Sequence, residues 1–449
     1  MNIKKYKEDI VKDPYQNKLS RKIGEAYFYG DYSKVNYLTK EYEKILECDS
    51  THYGVACYDL ATSYGELSKH MNKYKDNKYT ERRLFLFREA IKYFNNHKSE
   101  LDTFHIEMLL VNYANALYGT SRIFYACYYY RKVLEINPEF YMAVGNYGAC
   151  LHQLAYLAYL NSEQHIYLNA NAYKMCKDAY ESKDPQIDLM PETRLFFKRI
   201  FDSYSADENY LRAIKNANEY PPAAVDDDQY AKWVLSNHLY LNIENEINDI
   251  NYYFAVDSYY IANTKNIYKE MFKQLVDSYC FNRQNMYMLI DKNINNFDNL
   301  IKNTFLSLYS TIDKIAYIIN LFYDLEIDYK QVSGKKVFNC KEYKKLLSGN
   351  KMLNALYFSY QEFDKAFGES SEPYNKDLYD LRNTLEHRYV MIEKDSKKNI
   401  KIKIKSGCIY VGTDTFYNYT FRLMIIIREM IICLKYAIVI SNTSKINTQ

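Results

Sequence analysis

In the segment LRNTLEHRY, Leu381–Tyr389, an arginine, an asparagine and a histidine stand close enough to act together. On a helix Asn383 and His387, four residues apart, share a face, and Arg382 stands four residues before Glu386. Ideal geometry turns Arg382 about 140° away from His387, yet a long guanidinium arm can swing back to the same cleft. Cleavage of RNA by its own 2′-hydroxyl needs a group that exchanges a proton near neutral pH and a cation that offsets the charge of the phosphorane. His387 has the chemistry for the first task and Arg382 for the second. Asn383 either shares in catalysis or orients Arg382. That reaction needs no metal, and the chain offers no obvious cluster of metal ligands, so neither a metal nor a cofactor is expected.

Spacing by itself is a weak signal. With 14 arginines and 8 histidines among 449 residues, chance supplies about a quarter of an Arg-x4-His match. A surface ion pair between Arg382 and Glu386, with His387 at the edge of a bundle, satisfies it equally well. The elements that carry the segment have to decide.

A hydrophobic content of 48% over this length is enough for two ordinary cores. Only 12 Gly and 7 Pro punctuate the chain, which predicts a mostly helical protein. A net charge of +3 excludes binding of nucleic acid or anionic membrane through overall charge, so any such contact must be local. Nine scattered cysteines without a C-x-x-C pair predict free thiols in a reducing compartment. The opening MNIKKYKEDIVKDPYQ lacks the apolar run of a signal peptide, so the expected location is cytoplasmic. The apolar stretch Phe421–Ile440 carries Arg422, Arg428, Glu429 and Lys435, each costly in lipid. It is expected to be a buried bundle helix, with no membrane partner.

The N-terminal part is repetitive. Glu107–Pro138 fits a TPR unit: Tyr113 and Ala114 form the large-then-small pair of the first helix, Ala126 the small crossing residue, and Tyr130 the aromatic of the second helix. Tyr147, Gly148 and Leu151 repeat the pattern, with a second helix, NAYKMCKDAYESKDP, delayed by an insertion. An earlier unit pairs VACYDLATSYGELS with RLFLFREAIKYFNN across a long polar insertion, KHMNKYKDNKYTE. Each helix pair has an apolar face that only a neighbouring pair can cover, so the units stack into a solenoid. A further helical stretch covers residues 193–216, and Pro221, Pro222 and three aspartates then mark a linker. The expected division is a TPR-like domain over 1–225 and a second domain over 229–441.

The second domain reads as four helices: 263–292, 301–325, a third that starts after SSEPYNKD, 370–377, with Pro373 near its N-terminal end, and runs through Ile392, and a fourth over 416–440. Between the last two, IKIKIK at 400–405 and SGCIYVG at 406–412 predict a small β-hairpin. Four helices in this order make an antiparallel bundle.

On that bundle, LRNTLEHRY resembles the signature of the HEPN superfamily (higher eukaryotes and prokaryotes nucleotide-binding), Arg-polar-x3-His on the third helix. The blocks KWVLSNHLYLNIENEIND, IDKIAYIIN and RLMIIIREMI are similar to successive parts of a HEPN subgroup fused to N-terminal TPR-like repeats, over roughly Tyr230–Ile440. The fold class implied is all-α: a TPR-like helical-repeat solenoid followed by a HEPN four-helix bundle with a small β-hairpin insert. The resemblance further implies a homodimer with one composite cleft built from two copies of Arg382 and His387, acting as a metal-independent endoribonuclease in antiphage defence or toxin-type growth arrest. Other members are inactive or act as binding modules. Tyr389 extends the pattern to Arg-x4-His-x-Tyr, which resembles toxins silenced by a nucleotidyltransferase antitoxin that adenylylates this tyrosine; as an alternative it is an ordinary helix residue, and Glu386 is a supporting neighbour.

Two other features bear on partners. Residues 330–351 hold seven lysines against one glutamate, and the hairpin region adds Lys397, Lys398, Lys401, Lys403 and Lys405. These either grip a phosphate backbone or are solvated loops and a guarded sheet edge. Asn112 and Asn146 precede the two large-small pairs and are candidates to line a groove that takes a protein or peptide trigger. Two functions follow: an RNA-cleaving enzyme controlled by its repeats, or a non-catalytic scaffold for peptide or nucleotide binding and dimerisation.

Overall fold

The computed structural model describes residues 18–48, 53–71, 77–97, 103–157, 162–188, 190–206, 208–216, 229–237, 239, 241, 262–363, 375–393, 403–405 and 408–446. The N-terminal helices pair as α1 (Lys18–Phe28) with α2 (Tyr32–Cys48), α3 (Tyr53–Met71) with α4 (Lys78–Asn96), α5 (Thr103–Gly119) with α6 (Ile123–Ile136), and α7 (Tyr141–Leu157) with α8 (Ser162–Glu181). The short α9 (Pro185–Asp188) packs on α7 and on α10 (Pro191–Ser203), and α10 and α11 (Glu208–Asn216) close the array against α8.

The small residues expected at helix crossings are where the helices meet. Tyr113, Ala114, Ala126 and Tyr130 are buried between α5 and α6, and Tyr147 and Leu151 are buried in α7. A Cβ on Gly148 would stand 2.9 Å from the Cys176 sulfur and 3.1 Å from its backbone nitrogen, so a side chain there would force α7 and α8 slightly apart. Gly148→Ala is expected to cost about 1–3 kcal/mol, because backbone must move. Urea unfolding of the variant against wild type measures it.

Three repeat boundaries differ from expectation. The helices grow into both supposed insertions: α3 continues to Met71, α4 starts at Lys78 and α8 starts at Ser162. Polar residues there extend the helices on their solvent faces, which a hydrophobic pattern cannot register. The stretch 193–216 is broken at a 3-10 turn, Tyr204–Ala206. The pair α1–α2 precedes the units recognised in the sequence. Pro221, Pro222 and the aspartates after them lie outside the described residues.

Helix α12 (Gln229–Ser236) packs beside the bundle, where Trp233 meets Tyr287 and Phe421 with ring centroids 5.5 and 6.1 Å away. The bundle comprises α13 (Ala262–Met288), α14 (Phe297–Tyr323), α18 and α19. Between α14 and α18 the lysine-rich segment folds as α15 (Gly334–Asn339), α16 (Lys341–Leu346) and α17 (Lys351–Tyr360). It is therefore not a solvated loop: Val337, Phe338 and Tyr343 are buried, while all seven lysines point to solvent.

Helix α18 (Asn375–His387) is followed by β1 (Val390–Glu393), β2 (Lys403–Lys405), β3 (Cys408–Gly412) and α19 (Thr413–Ile446). Helices α13 and α14 run antiparallel, Ser278 meeting Ser307 and Tyr268 meeting Phe322. Helices α14 and α19 run parallel: Phe305 lies on Phe416, and the Tyr323 hydroxyl donates to the Ala437 carbonyl. The intervening α18 carries the chain back and allows this.

The hairpin forms, β2 pairing antiparallel with β3, but β3 also pairs in parallel with β1 in a three-stranded sheet. The expected continuation of the third helix through Ile392 is thus corrected: it stops at His387. Val390, Met391, Ile392 and Glu393 alternate in exposure, and pairing against β3 outweighs one more helical turn. The Phe421–Ile440 stretch lies within the buried helix α19, with Arg428, Glu429 and Lys435 inside the protein. Among the described residues no helix is long and apolar enough to cross a membrane.

Candidate functional site

Helix α18 rests on α14 through Leu378 and Leu381, both buried, and this fixes which side chains remain outside. The Arg382 guanidinium lies 5.8 Å above the ring of Tyr309 on α14. Its Nε is 3.0 Å from Glu386 Oε1, and its Nη1 donates to Asn383 Oδ1 at 3.1 Å. His387 ends the helix with its side chain 74% exposed, and its Nε2 stands 3.9 Å from Glu386 Oε2. Arg382 and His387, far apart on an ideal helical wheel, therefore reach the two oxygens of one carboxylate. The Arg382–Glu386 surface pair that spacing alone explains is present, and the His387 imidazole stands on the other side of the same carboxylate.

Tyr389 is not brought into this group as a helix residue. It sits beyond the end of α18, 78% exposed, and its carbonyl accepts from the Ile409 amide at the start of the sheet. Tyr379 and Met391 are also exposed on this element and its strand, so the outer surface around Arg382 and His387 carries apolar side chains.

The two groove asparagines part company. Asn146 donates to Asn115 Oδ1 at 3.0 Å, and the Tyr130 hydroxyl donates to the same oxygen at 2.5 Å. Asn115 and Asn146 line an open cavity of 430 Å³ with α10 on one wall. Asn112 instead donates to the Tyr58 hydroxyl at 2.8 Å, bridging α5 to α3. Lys397, Lys398 and Lys401 lie outside the described residues; Lys403 and Lys405 fall on β2.

Sequence reasoning missed a second group of charged residues, where the repeats meet the bundle. Arg122 precedes α6 and makes no capping bond of its own. Glu429 of α19 does so instead, accepting from the Tyr125 amide at 3.0 Å and from Arg122 Nε at 2.8 Å. Arg122 also donates to Glu362, which lies 2.9 Å from Arg422 and 3.6 Å from Arg88. Glu362, Glu429, Arg122 and Arg88 are all buried. Burial alone would raise the Glu362 carboxyl, but the guanidinium groups of Arg122, Arg422 and Arg88 overcome it and hold it below the usual carboxylate value. The available signal was the charges inside an apolar helix: residues costly in lipid are equally costly in a core unless partners await them.

An all-helical bundle whose third helix presents an arginine and a histidine to one anion-sized position defines the class of this unit. Residues 260–441, about two-fifths of the chain, match the family model described as LA2681-like HEPN, and this part of the chain is a HEPN domain. Its role is accordingly of the nucleotide- or RNA-related kind. No curated protein and no solved structure matches the chain.

Proposed function

We propose that the protein is a HEPN endoribonuclease that cleaves RNA by 2′-hydroxyl attack, controlled by its TPR-like array, in antiphage defence or toxin-type growth arrest. The observation that carries this reading is the convergence of Arg382 and His387 on the two oxygens of Glu386. A phosphate of the RNA takes the place of that carboxylate. The 2′-oxygen bonds to phosphorus as the bond to the 5′-oxygen breaks, a base removes the 2′ proton, an acid protonates the leaving oxygen, and Arg382 offsets the charge that builds up. Among the described residues one imidazole stands at this position, so the second proton transfer is assigned to His387 of a second copy. The exposed Tyr379, Tyr389 and Met391 around the pair suit such a dimer contact.

The lysine-bearing helices support an RNA substrate. The Gly334 amide, at the start of α15, donates to Asp313 Oδ1 at 2.8 Å. Asp313 is one helical turn along α14 from Tyr309, over which Arg382 lies. Lys335 and Lys336 follow Gly334 on the short helix α15 and are exposed, which offers positive charge to a phosphate backbone. The groove at Asn115 and Asn146 is assigned to a protein or peptide trigger.

The test is cleavage of total tRNA and of a structured RNA by purified full-length protein in excess chelator. The expected products carry 2′,3′-cyclic phosphates, and the rate falls steeply with salt. A protein that neither cuts RNA nor slows growth when overexpressed would instead fit the non-catalytic scaffold.

A further inference from the structure

A cavity of 730 Å³ opens at the junction of the two units, walled by α4, α5 and α6 of the repeats and by the first turns of α19. Small-molecule sites fall in the range of roughly 300–1,000 Å³. Its lining combines two chemistries. Tyr128 from α6 and Tyr419 and Phe421 from α19 supply aromatic surface. Lys132 and Arg422 supply positive charge, Lys132 Nζ standing 4.9 Å over the Tyr128 ring. Arg422 is held in place by the Tyr125 hydroxyl at 2.6 Å and by Glu362. The acidic residue in the lining, Glu135, has Arg131 3.3 Å away, and the Glu362 that Arg422 meets is shared with Arg122 and Arg88, so neither carboxylate fully offsets the two cations.

We propose that this cavity binds a small anion carrying a flat ring, of the size of a nucleoside phosphate. The ring stacks on the aromatic wall, a contact worth about 1–3 kcal/mol where bases stack on aromatic side chains, and the phosphate meets Lys132 and Arg422. Neither unit forms the cavity alone. The ligand therefore binds while α19 is seated on the repeats and holds it there, coupling ligand concentration to the position of a helix of the bundle. The site is separate from Arg382 and His387, and its occupation does not depend on whether that pair cuts RNA.

The protein carries its own reporter, because Trp233, its one tryptophan, lies 6.1 Å from the Phe421 ring. Full-length protein is titrated with ATP, GTP, CTP and UTP, and separately with tripolyphosphate, following tryptophan emission and the melting temperature. A saturable change with at least one nucleotide is expected. Lys132→Glu weakens that nucleotide at least about tenfold by opposing its charge, and Tyr128→Ala weakens the nucleotide while leaving tripolyphosphate unaffected. Circular dichroism confirms that each variant is folded, and if Lys132→Glu is not, Tyr128→Ala carries the test. The proposal is overturned if no nucleotide changes either signal, if tripolyphosphate binds as tightly as the nucleotides, or if the folded variants bind as wild type does.

Discussion

Arg382→Ala and His387→Ala are each expected to reduce RNA cleavage at least about 100-fold, the usual cost of losing a positioned proton-transfer group or a charge-stabilising donor. Thermal melting should stay where it is. Arg382 is a third exposed and His387 mostly so, and neither fills the core of α18, which Leu378 and Leu381 provide. Loss of activity together with loss of the fold would point to a structural role and against the proposal. Overexpression gives a second readout: wild type should arrest growth and His387→Ala should not. Asn383→Asp separates positioning from catalysis, since it keeps the acceptor that Arg382 Nη1 uses and adds a negative charge beside the guanidinium. Slower cleavage by this variant is expected if the charge of Arg382 acts directly on the phosphorane. An unchanged rate would argue against that role.

The second large effect concerns the joint between the units. Glu362→Ala leaves Arg122 and Arg88 buried without the carboxylate they share, and breaking a buried pair from one side costs about 3–5 kcal/mol. The urea midpoint should fall accordingly, while Asp202→Ala, which breaks an exposed pair with Lys198, should leave it unchanged. The same group predicts a pH dependence. A carboxyl held below its unfolded value stabilises the fold above the unfolded pKa, about 4.3 for glutamate, and that contribution is lost as pH falls through the lower folded value. The junction is therefore expected to loosen only in acid, below about pH 4, and Glu362→Gln should flatten that part of the stability profile. A wild-type stability that falls between pH 7 and pH 5 in a Glu362-dependent manner would contradict the assignment.

These predictions draw unequally on sequence and structure. Local periodicity determined the helical class and the long bundle helices, because burial of one face every three or four residues is written directly into residue type. The large-small pairs at Tyr113–Ala114 and Tyr147–Gly148 located buried helix contacts, and at Gly148 a close one, since size limits how near two backbones approach. The Arg382–His387 pattern was legible as a motif. Its meaning in space was not, because on an ideal wheel the two residues diverge. Side-chain reach around Glu386 and the end of α18 at His387 bring them to one place. That helix end depends on strand β3, more than a dozen residues later in the chain, and no local propensity encodes a pairing across such a gap. The junction was least visible of all. Arg122, Glu362 and Glu429 are separated by as many as 307 residues, and only the folded chain places a bundle carboxylate at the first turn of a repeat helix. Sequence determined which apolar faces must be buried and which residues could do chemistry; tertiary structure decided which charged groups are buried with them and which meet, because charge complementarity between distant segments leaves no periodic trace in either one.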